Sequence, residues 1–296
     1  MVKFRVLKRI PACLLTTIIC MHTIAQADTT AKSSLSADQH FAEAKKLIDA
    51  QSGEGTPRRL VDGAISHLDQ ALAEGYSDQK DARWQLHGQL RNLHVMIGSA
   101  VCNKRNKKYS QEPVVQERCK RDDETAKQAG ERSIKVLTEL YRDYPDDLKV
   151  ILAFSSYRES AGAGGKEVRI MMQRAAKIAP KDAEVLMRLA GMAVTNERQS
   201  LYADAVTYTR EDVIIVHNIN YIWGSMQRNK CAKSPEIDAV VAALPPRFSD
   251  EAGTSAVDMN NKVERQEFVT DQKKLYSLRD RFVTLLRAHD CQWSTQ

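Results

Sequence analysis

The segment Ala179-Pro180-Lys181-Asp182-Ala183 decides the fold, because the turn Tyr144-Pro145-Asp146-Asp147 places a similar pattern 35 residues earlier. In each, an apolar helical stretch ends, a proline blocks its continuation, and an aspartate stands where the next helix begins. Self-similarity at such a period marks stacked helical hairpins, each burying on its neighbour an apolar face that it cannot bury alone. Arrays of that sort mostly bind other proteins.

Outward from these turns the spacing persists. Leu186, Leu189, Ala190 and Ala193 follow the second turn, Val150, Ile151, Phe154 and Tyr157 follow the first, and Ile134, Leu137, Leu140, Tyr141 and Tyr144 precede it. Apolar residues three and four apart run through almost the whole chain, with almost no clean alternation, so the sequence predicts an all-α protein. Helices are expected over 36–50, from Pro57 with Thr56 as N-cap to a C-cap at Gly75, and over 81–99 with the stripe Leu86, Leu90, Leu93 and Ile97. Others are expected over 123–144, from Pro145 to the glycines at 162–165, over 167–178, and onward from Asp182. Val213-Ile214-Ile215-Val216 suits a strand by propensity, but Glu211 and Asp212 suit a helix start, and a helix running to Met226 is the reading adopted. Ser234-Pro235-Glu236 opens a short helix that Leu244-Pro245-Pro246 stops, and 247–254 reads as a loop. A closing helix over 257–289 turns Leu275, Leu278, Phe282, Leu285 and Leu286 inward.

The helix after Asp182 resembles the first helix of a tetratricopeptide repeat. Leu186, Leu189, Ala190 and Ala193 fall where that family places two large residues, a small one and a further packing residue. Ala175, Ala176 and Pro180 are similar to its second helix and closing proline, and Ser133, Leu137, Leu140 and Pro145 match more loosely. The resemblance implies a TPR-like α-solenoid over 28–209, with 210–296 as a C-terminal helical cap covering the last apolar face. It also implies a partner-binding inner face on first helices. There the family's carboxylate-holding Lys, Arg and Asn positions correspond to Val150, Ala153, Tyr157, Met187 and Gly191, which favours an apolar or helical partner.

Residues 1–27 read as a secretory leader. Lys3, Arg5, Lys8 and Arg9 precede an apolar run over 10–24, and Ala25-Gln26-Ala27 supplies the small-residue cleavage pattern. The run falls short of the ~20 residues that span a bilayer. Cleavage takes four of the 44 basic residues and none of the 38 acidic ones, so the chain's net +6 falls to 40 against 38, or +2. Nucleic acid is therefore not an expected partner. Four cysteines remain, Cys102, Cys119, Cys231 and Cys291, an even number suited to an oxidising compartment. Of the three connectivities, Cys102 with Cys119 and Cys231 with Cys291 is favoured, since each pair closes a segment between neighbouring helices. The segment between the first two carries Lys104, Arg105, Lys107 and Lys108 and is expected to protrude as a basic loop, a solvated protrusion in the reading preferred, with contact to an anionic glycan, lipid or acidic protein face as the alternative.

Chemistry has one entry point. Glu159-Ser160, the glycines that follow and Met172-Gln173 occur in an order similar to that of lytic transglycosylases, which would make Glu159 the acid that protonates a glycosidic oxygen. Here the two segments almost abut, whereas that family separates them. Gly164-Gly165-Lys166 lacks the Ser or Thr of a phosphate loop. His87 and His94 lie two turns apart on one helix without a second ligand at metal spacing. The expectation is an exported, periplasmic binding or scaffold module of a Gram-negative envelope with protein partners, no enzymatic activity and no cofactor or metal. The alternatives are a cell-wall glycan enzyme and a structural subunit of an envelope complex.

Overall fold

The computed structural model describes residues 35–51, 56–99, 113–193, 195–229, 231, 234–249, 261–289, 291 and 293. The leader read over 1–27, Cys102 and the basic residues Lys104, Arg105, Lys107 and Lys108 lie outside them. The described chain is all-α, with eleven α-helices and no strand among the described residues. No helix among them is long and apolar enough to cross a membrane. Two compact units divide at Ser133/Ile134.

The first unit holds α1 (Ala37–Asp49), α2 (Arg58–Ala73), α3 (Gln79–Ser99) and the larger part of α4 (Pro113–Asp143), with α1 packed on α2 and α2 on α3. Ser36 and Gln39 form a capping box that opens α1. At α2 the expected Thr56 cap is not used. Pro57 is itself the N-cap, and Thr56 Oγ1 instead donates to the Gln51 carbonyl at 3.1 Å, tying the linker down. Leu86, Leu90, Leu93 and Ile97 are all buried, as the stripe on α3 predicts. Helix α4 begins ten residues before the expected start, with Pro113 as its first residue, where a missing N–H costs nothing. The expected loop therefore ends earlier, and Cys119 stands on a helix.

His87 and His94 attach α3 to α4. His87 Nδ1 donates to the Ser133 carbonyl at 3.1 Å, His94 Nδ1 donates to the Ala126 carbonyl at 2.8 Å, and Ser133 Oγ donates to the His87 carbonyl at 3.2 Å. Gly130 permits this approach, because a Cβ there would lie 3.0 Å from His94 Nδ1. Burial holds the His87 imidazole below its ordinary value of 6.5. The unfolded chain therefore takes up this proton first as pH falls. The His87 contribution to stability is fully present above pH 6.5 and is lost as pH drops toward the lower folded-state value. Thermal melts between neutral pH and pH ~5 should show this loss, and His87→Gln should flatten it.

The second unit runs from Ile134 through α5 (Leu148–Ser160), α6 (Gly165–Ile178), α7 (Ala183–Met192), α8 (Thr195–Tyr208), α9 (Asp212–Arg228), α10 (Pro235–Ala242), a 3-10 turn at Pro246–Phe248, and α11 (Lys262–Ala288). The two proline turns do the same work. Asp147 accepts from the Val150 N–H and Asp182 from the Val185 N–H, at 3.1 and 3.0 Å, so each helix start is capped three residues in. Helices α5 to α8 each pack on the next. Gly162, at φ +76°, makes the α5–α6 turn. Gly162→Ala should lower stability by about 1 kcal/mol although nothing lies within 4 Å of the added methyl, because the cost is backbone strain, readable as a denaturant midpoint.

Beyond Thr209 the apolar core continues without a break. It joins Tyr202, Ala203 and Val206 of α8 to Ile215, Ile219 and Ile222 of α9, Ile237 and Val240 of α10, and Leu275, Phe282 and Leu286 of α11. Val213-Ile214-Ile215-Val216 is helical, as adopted, since Ile215, Ile219 and Ile222 share one buried face. Phe248, within the expected loop, is buried in this core. Helix α11 lies against α8 as well as α9 and α10, and the side chain of Gln199 donates to the carbonyls of Leu286 and His289 at its end. Cys231 and Cys291 are bridged with Cα atoms 4.9 Å apart. Beyond the bridge Trp293 is buried, with the Arg198 guanidinium 5.5 Å from its ring. Cys119 is also disulfide-bonded, and Cys102, its expected partner, lies outside the described residues.

Candidate functional site

Three helices that each follow a turn, α5, α7 and α9, contribute to one groove of about 880 Å³ in the second unit. Each helix turns its large apolar residues to the core, Ile151 and Phe154 on α5, Leu186 and Leu189 on α7, Ile215 and Ile219 on α9, and leaves another face to solvent. Glu159 enters from the end of α5, Met187, Arg188 and Gly191 line it from α7, and Ile214, His217 and Tyr221 line it from α9. Tyr208 and Arg210, at the α8–α9 turn, close one end.

Arg188 forms part of the floor. Its side chain is 15% exposed, it donates to the Leu152 carbonyl at 3.1 Å, and it pairs with Glu159 at 3.3 Å, linking α7 to α5. Asn218 is buried and donates to Thr209 Oγ1 at 3.0 Å, while Thr209 donates to the Ala205 carbonyl, so the α8–α9 turn is fastened from below. Above this floor the apolar surface is open. Ile214 is 40% and Tyr221 47% exposed, well beyond what a core role would allow. The groove is therefore mixed: Met187 and Met192 on α7 and Ile214 and Tyr221 on α9 give it apolar patches among charged and polar side chains of both signs.

Of the residues expected to meet a partner, Met187 lines the groove. Val150 does not: at 1% exposure it is core, because one residue is a 100° step on a helix and Val150 falls with Ile151 on the inward side of α5. Tyr157 is half-buried, 6.0 Å from the Phe154 ring, and is not part of the groove wall. Gly191 lines it and Ala153 does not. Ile214, Tyr221, Tyr208 and Arg188 were not expected. The signal for them is the helix start at Glu211, which lies 29 residues after Asp182 rather than 35. The interval shortens because α7 is three residues shorter than α5 and the connections after α7 and α8 are shorter than those after α5 and α6.

Among the described residues no group of three or more His, Cys, Asp or Glu has the proximity to hold a metal ion. Glu159 is exposed and salt-bridged. No protein-family model matches the chain, and no curated protein is significantly similar to it.

Proposed function

We propose that this chain is an exported binding module of the cell envelope, built from hairpins of the tetratricopeptide kind, that holds an extended or helical segment of a partner protein in the groove of α5, α7 and α9. The observation that carries this reading is one open groove between the post-turn helices α7 and α9, reached by Glu159 at the end of α5, in which Met187, Ile214 and Tyr221 present apolar surface among charges of both signs. Such a surface offers anchoring positions at regular intervals, the requirement for gripping a polypeptide along its length. The leader over 1–27 and the Cys231–Cys291 bridge support a periplasmic location, since a bridge of this kind persists in an oxidising compartment.

Single charges in the groove test it. Met187→Asp and Ile214→Asp place a carboxylate on its apolar patches and should weaken partner binding by about tenfold or more, whereas Ile170→Asp, on the exposed side of α6, should not. Equal loss for all three, measured by titration against the partner, would remove the groove from the account.

The glycan-enzyme alternative is less well supported. A carboxylic acid that protonates a glycosidic oxygen is kept protonated by apolar surroundings. Glu159 is instead 61% exposed, with a guanidinium 3.3 Å away. Glu159→Gln should leave biological function intact and stability within about 0.5 kcal/mol, as for an exposed ion pair. Loss of function in the periplasm with unchanged partner binding would favour the enzyme.

A further inference from the structure

The groove ends at Lys181, Tyr208 and Arg210, and the same residues begin a second hollow of about 790 Å³ that continues onto α11 at Tyr276 and Arg279. No acidic residue is among its described lining. Lys181 and Arg210 sit on the α6–α7 and α8–α9 turns, exposed, and neither makes an ion pair among the described residues. Lys181 Nζ lies 5.6 Å from the centre of the Tyr208 ring, and the Arg279 guanidinium lies 4.9 Å from that of Tyr276, so two of the three cations rest on aromatic faces. Arg279 also pairs with Asp280 at 2.7 Å, whereas the two turn cations have no ion-pair partner among the described residues, the nearest acids in sequence, Asp182 and Glu211, lying on the groove side.

We infer that this hollow receives acidic side chains of the same polypeptide that fills the groove, so that the partner segment is an apolar stretch flanked on one side by Asp or Glu. The inference rests on the groove reading. A segment passing Tyr208 meets Lys181 and Arg210 next, because both concavities share those residues. A compact inorganic anion fits less well. The Thr207 and Thr209 hydroxyls, which would chelate it, donate to their own helix at the Ala203 and Ala205 carbonyls, both at 2.8 Å. Cations on long side chains from separate turns suit carboxylates spread along a chain.

The test is selection of a random displayed-peptide library on the disulfide-intact full chain, followed by titration of a selected peptide. Enriched peptides should carry Asp or Glu on one flank of an apolar stretch. The double variant Lys181→Glu/Arg210→Glu, whose positions are exposed and outside any ion pair among the described residues, should melt close to the wild type, losing only the exposed Lys181–Tyr208 contact, and bind the peptide about tenfold more weakly. Changing the peptide's acids to Asn and Gln should cost a similar factor on the wild type and none on the double variant, where it removes a repulsion between carboxylates. Enrichment without acids, or an unaffected double variant while Met187→Asp abolishes binding, would overturn this inference and leave the groove reading standing. No enriched peptide, or peptides indifferent to Met187→Asp, would sink the groove reading and this inference with it. Displacement of the peptide by inorganic phosphate at matched ionic strength would assign the hollow to a small anion and overturn the peptide.

Discussion

Phe282→Ala destabilises the C-terminal unit by about 3–5 kcal/mol, the cost of removing a buried aromatic from a core that relaxes only in part. Phe282 is fully buried on α11, in the cluster that holds Tyr202 of α8 and Ile219 of α9. Its loss therefore strikes the docking of the last helix on the helices that carry the groove. In a domain of this size each kcal/mol moves the melting temperature by about 2–4 °C, so the expected shift is roughly 10 °C. Leu278, on the same helix but only partly buried, should cost clearly less. Equal effects at the two positions in a thermal melt would mean that α11 does not pack as described.

Loss of the Cys231–Cys291 bridge is the second large effect. The bond joins residues 60 apart, and loop-closure entropy for such a span gives about 4 kcal/mol in the chain-entropy account. Cys291 is buried beside Trp293, so the bridge also fixes the chain end against Arg198 on α8. Because Cys119 is disulfide-bonded as well, reduction alone would mix two effects. The variant Cys231→Ala/Cys291→Ala isolates this one. Denaturant titration should show a lower midpoint for the variant, and reductant should lower the wild type's midpoint at least as far. Unchanged stability in the double variant would contradict the capping role given to α11.

What could be read from sequence divides along physical lines. The turns at Pro145 and Pro180 were legible because proline and an aspartate cap act locally, and Asp147 and Asp182 adopt nearly the same backbone angles. The stripe on α3 and the Ser234-Pro235 start of α10 were legible for the same reason. The third start, at Glu211, has no side-chain cap bond and breaks the 35-residue interval, so the spacing that revealed α5 and α7 did not extend to α9. With α9 outside the array, half of the groove wall stayed out of view. His87 and His94 share a helix face in the sequence, but their role depends on α4, which starts ten residues before the spacing predicts. Arg188 carries no distinguishing signal in the sequence, and only the approach of α5, whose Leu152 carbonyl it reaches, makes it part of a floor.

If a protein occupies the groove, a photoreactive residue placed in turn at Met187, Tyr221 and, as the outside control, Ile170, in cells making the full chain, will capture it there. Crosslinks are expected from Met187 and Tyr221 to the same partner protein, with none to that protein from Ile170. Crosslinks of equal yield from all three positions, or recovery of glycan without protein from the groove positions, would contradict that occupancy.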